Sequence, residues 1–136
     1  MPFVLDASVA LAWHLEDEVS GYADRVLDRL REDGVTVPSI WPLELANALI
    51  VAERRGRLLP AKVAQAVEQT SELPISMHDV PGELAFGPVL ELARAQGLSA
   101  YDAAYLELAM REGLPLATQD EALRAAAQRV GVPLVD

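Results

Sequence analysis

The chain has 136 residues, is 51% hydrophobic and contains no cysteine, which fits one globular domain over residues 1–136 and excludes a disulfide framework or a cysteine nucleophile. No apolar run approaches the ~20 residues of a membrane span, and the N-terminus lacks a signal-peptide pattern, so we expect a cytoplasmic protein without membrane contacts. The net charge of −10 argues against a simple nucleic-acid-binding module, although a divalent cation makes an acidic site useful to an enzyme.

Short apolar runs alternate with longer helical periodicities along the chain. The pattern predicts strands at 3–5, 35–37, 75–77, 116–118 and 132–135. It predicts helices at 17–32, from a cap at Ser39 to near Gly56, and at 61–70, 82–96, 99–112 and 121–129. The first of these carries an apolar stripe of Val19, Tyr22, Val26, Leu27 and Leu30. This alternation predicts an α/β fold with a parallel sheet covered on both faces, in which ligands bind beyond the carboxyl ends of the strands.

Two aspartates directly follow predicted strands. Asp6 comes after the first strand, and Asp120 comes just after the strand that ends at Thr118. Each has a purely structural alternative. Asp6 suits the N-cap of a helix that starts near Ala7, and Asp120 suits the first turn of a helix with a capping-box pattern between Thr118 and Glu121.

Two further acids lie on predicted helices. Asp102 stands three residues after Ser99, which again resembles a capping box without chemistry. Glu44 and Asn47 are the polar residues in the apolar helical run 43–52, and their spacing places them on one face. A carboxylate on such a helix is costly to bury unless it is paired or binds a cation. An exposed stripe with a single Glu is the structural alternative.

If the four acids converge, their mutual repulsion raises their pKa values or demands a cation. Oxygen ligands suit Mg²⁺ and Mn²⁺ rather than zinc. His14 and His78 have no partner at a useful helical spacing, so we interpret both as structural or surface residues. A metal that bridges carboxylates and a phosphodiester activates water without a side-chain nucleophile. The basic residues Arg54, Arg55 and Arg57 form either a solvated helix end or a contact for an anionic substrate.

Four segments resemble the PIN-domain family and, within it, the VapC-type toxins of toxin–antitoxin pairs. The resemblance covers nearly the whole chain. The first segment, at 4–13, contains Asp6 and Ser8. The second, at 41–49, contains Glu44, and the third, at 98–109, contains Asp102. The fourth, at 116–120 together with Leu123, contains Asp120.

The resemblance implies a PIN-like α/β/α sandwich with a five-stranded parallel sheet, and Mg²⁺- or Mn²⁺-dependent endoribonuclease activity. The metal ligands would be Asp6, Glu44, Asp102 and Asp120, the last at the family's least constant position. Ser8 and Thr118 would support the ligands or touch substrate, and Asn47 would steady Glu44. Members of the family usually form homodimers and are silenced by a small VapB-type antitoxin that covers the active site.

Three other interpretations compete with the nuclease. A phosphate-transferring hydrolase with an aspartyl nucleophile usually has a second acid where Ser8 stands. A receiver-type signalling domain needs a lysine on a late strand, whereas Lys62 lies in a predicted helix. The serious alternative is a catalytically idle PIN-like domain that binds RNA or protein as a scaffold. The presence of all four acids argues against it.

Overall fold

The computed structural model describes residues 1–18 and 20–136 of the chain. Four short strands form one parallel sheet in the order β3-β2-β1-β4. The strands are β1 (Phe3–Leu5), β2 (Val35–Pro38), β3 (Ile75–His78) and β4 (Leu116–Ala117). The helices are α1 (Ala7–Ala12), α2 (Gly21–Asp33), α3 (Trp41–Arg54), α4 (Pro60–Ser71), α5 (Gly82–Leu84), α6 (Leu90–Gln96), α7 (Ala100–Glu112) and α8 (Glu121–Val130).

The order of the strands places a switch point between β1 and the edge strand β4. The chain builds outward from β1 to β2 and β3, and then returns to place β4 on the other side of β1. Right-handed crossovers therefore put α1–α4 on one face and α5–α7 on the other. The parallel α/β fold flanked by helices is confirmed. Its switch point lies between the carboxyl ends of β1 and β4, where ligands bind in such folds.

The core is built where the sheet meets its helices. Phe3, Val4 and Leu5 of β1 are fully buried, as continuous apolar strands covered on both faces must be. Residues 103–109 of α7 are all buried, and this helix packs against β1 and β2. No helix in the described ranges combines the length and apolarity that a bilayer crossing requires.

The expected fifth strand is wrong. In the described residues, the segment 132–135 contributes a single bridge between Leu134 and Leu116, with hydrogen bonds from Leu116 N to Pro133 O and from Val135 N to Leu116 O, both 2.9 Å. Pro133 has no N–H to extend a ladder, and its neighbour β4 has only two residues. The sheet therefore has four strands.

Two helix starts also differ from the prediction. The helix predicted from residue 17 is a 3₁₀ turn at Glu16–Glu18 followed by α2, whose N-cap Ser20 accepts a hydrogen bond from Ala23 N. Val19 of the predicted stripe lies outside the described residues. Ser39 does not cap α3: Ile40 precedes the helix without a side-chain bond, and a proline in the first turn removes one N–H that would need a partner.

The helix predicted over 82–96 is interrupted rather than uniform. Residues Ala85–Val89 form a π-helical turn between α5 and α6, and this turn contains Pro88. Proline cannot donate the backbone hydrogen bond that an α-helix needs at that position, and a π-turn is one way for the chain to continue helically.

Candidate active site

The four predicted acids line one pocket of about 270 Å³. Asp6 follows β1, and Asp120 lies two residues beyond the buried Thr118, which follows β4. Glu44 lies in the first turn of α3 and Asp102 in the first turn of α7. The pocket is completed by Ala7, Ser8, Leu11 and Ala48. Two strand ends and two helix N-termini thus place four carboxyl groups at the switch point of the sheet.

Asp6 is the most buried of the four, with 5% of its surface exposed. It occupies the N-cap position of α1, but its side chain makes no capping bond. Instead, its Oδ2 accepts hydrogen bonds from Thr118 Oγ1 (2.7 Å) and Ser8 Oγ (2.8 Å). Burial raises the pKa of Asp6, and the two hydroxyl donors oppose that rise. The capping alternative therefore does not explain this carboxylate.

Glu44 is half-buried and is held from the opposite side of the fold. The hydroxyl of Tyr105, on α7, donates a 2.7 Å hydrogen bond to Glu44 Oε1. Burial raises the pKa of Glu44, the bond from Tyr105 lowers it, and the charge of Asp6 raises it further. Asn47 is exposed and is not among the residues that line the pocket, so the contact that steadies Glu44 comes from Tyr105.

The pKa of Asp102 reflects burial as well as electrostatic repulsion from the other three acids. Burial, followed by the charges of Asp6, Asp120 and Glu44, raises its pKa to about 6. Ser99 caps α7 by accepting a bond from Asp102 N (3.1 Å), so the capping alternative explains the backbone here. The Asp102 carboxylate takes no part in this capping bond, and Asp102 lines the pocket.

Asp120 combines a structural role with its place at the pocket. It is itself the N-cap of α8, where its Oδ2 accepts a bond from Leu123 N (2.8 Å), rather than a first-turn residue. Thr118 Oγ1 accepts a bond from Asp120 N (3.1 Å) while donating to Asp6. One hydroxyl group, fully buried, therefore joins the two acids that follow the strands.

The donor set suits a hard divalent cation, since it consists of carboxylate oxygens. As the side chains stand, no three acidic or histidine groups in residues 1–18 and 20–136 are arranged to hold one ion. Mg²⁺ usually keeps several waters and binds one or two carboxylates directly, so a site for it does not require three preformed protein ligands.

The remaining predicted residues lie away from the pocket. Arg54 ends α3, about 15 Å along the helix axis from Glu44 at 1.5 Å per residue. Arg57 is paired with Asp17 and Glu18 at 3.0 and 3.2 Å, whereas Arg54 and Arg55 are exposed. His14 and His78 do not line the pocket either.

Sequence reasoning missed the role of Tyr105. It lies three residues after Asp102, so it shares a face of α7 with that acid. The run of apolar residues around it made it indistinguishable from a core tyrosine. A buried tyrosine hydroxyl needs a polar partner, and that requirement is the signal that could have linked it to Glu44.

Comparisons with known proteins identify the family of this chain. The PIN domain model matches residues 3–129. The chain belongs to the PIN-domain family. It is 32% identical to Ribonuclease VapC3 of Mycobacterium tuberculosis over 123 residues, covering 90% of this chain and 85% of the relative. It is 30% identical to Ribonuclease VapC3 of Pyrobaculum aerophilum over 125 residues, covering 90% and 92%. The resemblance to VapC-type proteins is thereby confirmed.

Solved structures show the same fold. The structure of PAE2754 from Pyrobaculum aerophilum superposes with a TM-score of 0.71 at 27% identity, covering 93% of this chain and 79% of that one. VapBC2 from Rickettsia felis, solved bound to a DNA fragment from the promoter, gives 0.68 at 13% identity, covering 99% and 98%. At that identity the likeness concerns the fold alone.

Proposed function

We propose that this protein is a divalent-metal-dependent endoribonuclease that acts as the toxin of a toxin–antitoxin pair. The observation that carries the proposal is the convergence of Asp6, Glu44, Asp102 and Asp120 on one pocket at the switch point of the sheet. The relatives named Ribonuclease VapC3 supply the substrate class.

In the proposed site, Asp6, Glu44, Asp102 and Asp120 would hold Mg²⁺ or Mn²⁺, some of them through waters that the ion keeps. When bound, the ion supplies a Lewis acid that lowers the pKa of water and offsets charge on a phosphodiester. The protein's own side chains orient the ligands. Ser8 and Thr118 hold Oδ2 of Asp6, and Tyr105 holds Oε1 of Glu44, which leaves the second oxygen of each carboxylate without these bonds. Such supporting contacts fix the orientation of metal ligands.

Two partners belong to the proposal. A small VapB-type antitoxin is expected to cover the pocket, since a basic group entering a carboxylate cluster is electrostatically favourable. The Rickettsia felis protein of the same fold was solved as VapBC2, and this pairing supports such a partner. A homodimer is expected from the family resemblance.

The proposal is tested by incubating total RNA with the purified protein and its Asp6→Asn variant, each with Mg²⁺, Mn²⁺ or EDTA. The nuclease gives discrete fragments that require both metal and Asp6, and the fragment ends identify the cut site. RNA left intact by the wild-type protein under every condition, in a preparation shown to be free of antitoxin, would favour the idle scaffold.

A further inference from the structure

Two arginine side chains lie over one aromatic ring, that of Tyr22. The guanidinium carbon of Arg124 lies 5.5 Å from the ring centroid of Tyr22, and that of Arg25 lies 6.0 Å from it. Arg25 and Tyr22 are on α2, whereas Arg124 is on α8. The two cations are distant in sequence, and the fold brings them together on a half-buried tyrosine.

Neither cation forms an ion pair in the described residues, although burial and the charge of Asp136 both raise the pKa of Tyr22, which places one carboxylate within electrostatic range of the ring. Elsewhere on the surface, Arg29, Arg31, Arg57 and Arg111 form ion pairs. Within the part of the chain that the structure describes, no ion pair within 4.0 Å includes Arg25 or Arg124. Arg54 and Arg55 also form no ion pair in the described residues, so the feature that distinguishes Arg25 and Arg124 is their position over one ring. In a protein with a net charge of −10, the two guanidinium groups concentrate positive charge at this ring.

A hydrogen bond fixes Arg124 next to the acids. Its Nη1 donates to the backbone oxygen of Thr118 at 2.7 Å, and Thr118 Oγ1 in turn donates to Asp6 Oδ2 at 2.7 Å. Thr118 therefore links the guanidinium of Arg124 to Asp6, a proposed metal ligand that lines the pocket. The other N–H groups of Arg124 can bind a further acceptor, because a guanidinium carries five donors.

We propose that Arg25, Tyr22 and Arg124 form the surface that holds the RNA backbone beside the acidic pocket. Guanidinium groups bind phosphate with charge-assisted, often bidentate hydrogen bonds. An acidic pocket repels RNA, so cations beside it are needed to keep a strand close. This inference rests on the proposed function, and it replaces Arg54 and Arg55, at the far end of α3, as the RNA contact.

The test compares two double variants with the same loss of charge. Arg25→Gln/Arg124→Gln removes the proposed contact, and Arg54→Gln/Arg55→Gln removes two cations at the distant site. Both are made in an Asp6→Asn background, so that the RNA remains intact. Binding of a short fluorescent single-stranded RNA is then measured by anisotropy over a series of salt concentrations, and melting temperatures check the fold.

We expect only the first double variant to weaken binding and to flatten the dependence of log K on log salt, by about 0.7 for each lost phosphate contact. The single variant Arg25→Gln keeps the Arg124–Thr118 bond and should show part of the effect. An equal loss in both double variants, or a loss only in Arg54→Gln/Arg55→Gln, would overturn the inference. If the wild-type protein cleaves RNA normally in that case, the proposed nuclease survives. If it neither binds nor cleaves RNA, both proposals fail.

Discussion

The hydroxyl of Tyr105 and Oε1 of Glu44 are joined by a 2.7 Å hydrogen bond that links α7 to α3 across the pocket. Tyr105 is fully buried, and this burial, its hydrogen bond to Glu44 and the charge of Glu44 all raise the pKa of its hydroxyl. The tyrosine therefore stays a donor at any physiological pH. It fixes the orientation of one carboxylate before any cation arrives.

Tyr105→Phe should weaken metal binding while preserving the fold. The ring remains to fill the core, but Glu44 loses its donor, and the loss of such a supporting contact typically costs 10–100-fold in metal affinity or activity. Calorimetric titration with Mn²⁺ measures the affinity directly, and excess Mn²⁺ should restore most of the cleavage. The matched control is Tyr101→Phe on the same helix, whose side chain is exposed. Equal affinities in both variants would show that the bond is only structural.

Glu44→Gln should abolish cleavage without unfolding the protein. The amide oxygen still accepts the bond from Tyr105, and the substitution removes a charge that raises the pKa of Asp102. In EDTA, we expect the variant to melt at the same temperature as the wild type or higher, because repulsion is relieved. The rise in melting temperature that Mn²⁺ gives the wild type should shrink, since a ligand stabilises only through its affinity for the folded state. Full retained activity would remove Glu44 from the mechanism.

The metal-free protein should lose stability as the pH rises through the titration of Asp102. Its pKa is 3.8 ordinarily and about 6 in the folded protein. The folded state therefore holds a proton in this window that the unfolded state releases, and the free energy of unfolding falls as the pH rises from about 4 to 6. Asp6 and Glu44 act in the same direction.

The measurement is a series of denaturant unfolding curves in EDTA for the wild type and Asp102→Asn. Burial lowers the pKa of His14, which destabilises the protein as the pH falls, so only the difference between the two proteins isolates Asp102. We expect the stability of Asp102→Asn relative to the wild type to increase from pH 4 to pH 6. A constant difference across this range would contradict the raised pKa.

The location of the site could be predicted from the sequence because it depends on the order of strands and helices along the chain. An acid that follows a strand within a few residues lies near the carboxyl edge of a parallel sheet, so the positions of Asp6 and Asp120 could be predicted without knowledge of packing. The hydrogen bonds that orient the acids, by contrast, depend on how distant segments pack together. Thr118 and Asp6 are 112 residues apart, and Tyr105 and Glu44 are 61 apart, so neither pair leaves a local spacing pattern.

Two of the errors in the fold share another cause, which is the backbone chemistry of proline. Pro133 prevents a full fifth strand, and Pro88 lies in the π-turn between α5 and α6. In both places the apolar periodicity continued through the proline, so the pattern predicted a regular element. The missing N–H changed the hydrogen bonding without changing the hydrophobic pattern.

Thr118→Val should damage the site more than its small change in shape suggests. The hydroxyl donates to Asp6 Oδ2 and accepts from Asp120 N, and Thr118 is fully buried. Valine leaves both partners with a lost bond at a buried position, which costs about 1–3 kcal/mol of unfolding free energy. Thr118→Ser keeps the hydroxyl and loses only a methyl group, so it serves as the control. We expect Thr118→Ser to retain cleavage and Mn²⁺ affinity and Thr118→Val to lose much of both, as measured by titration and RNA cleavage on the same preparations. Equal behaviour of the two variants would mean that packing, rather than the bridge between Asp6 and Asp120, is what Thr118 contributes.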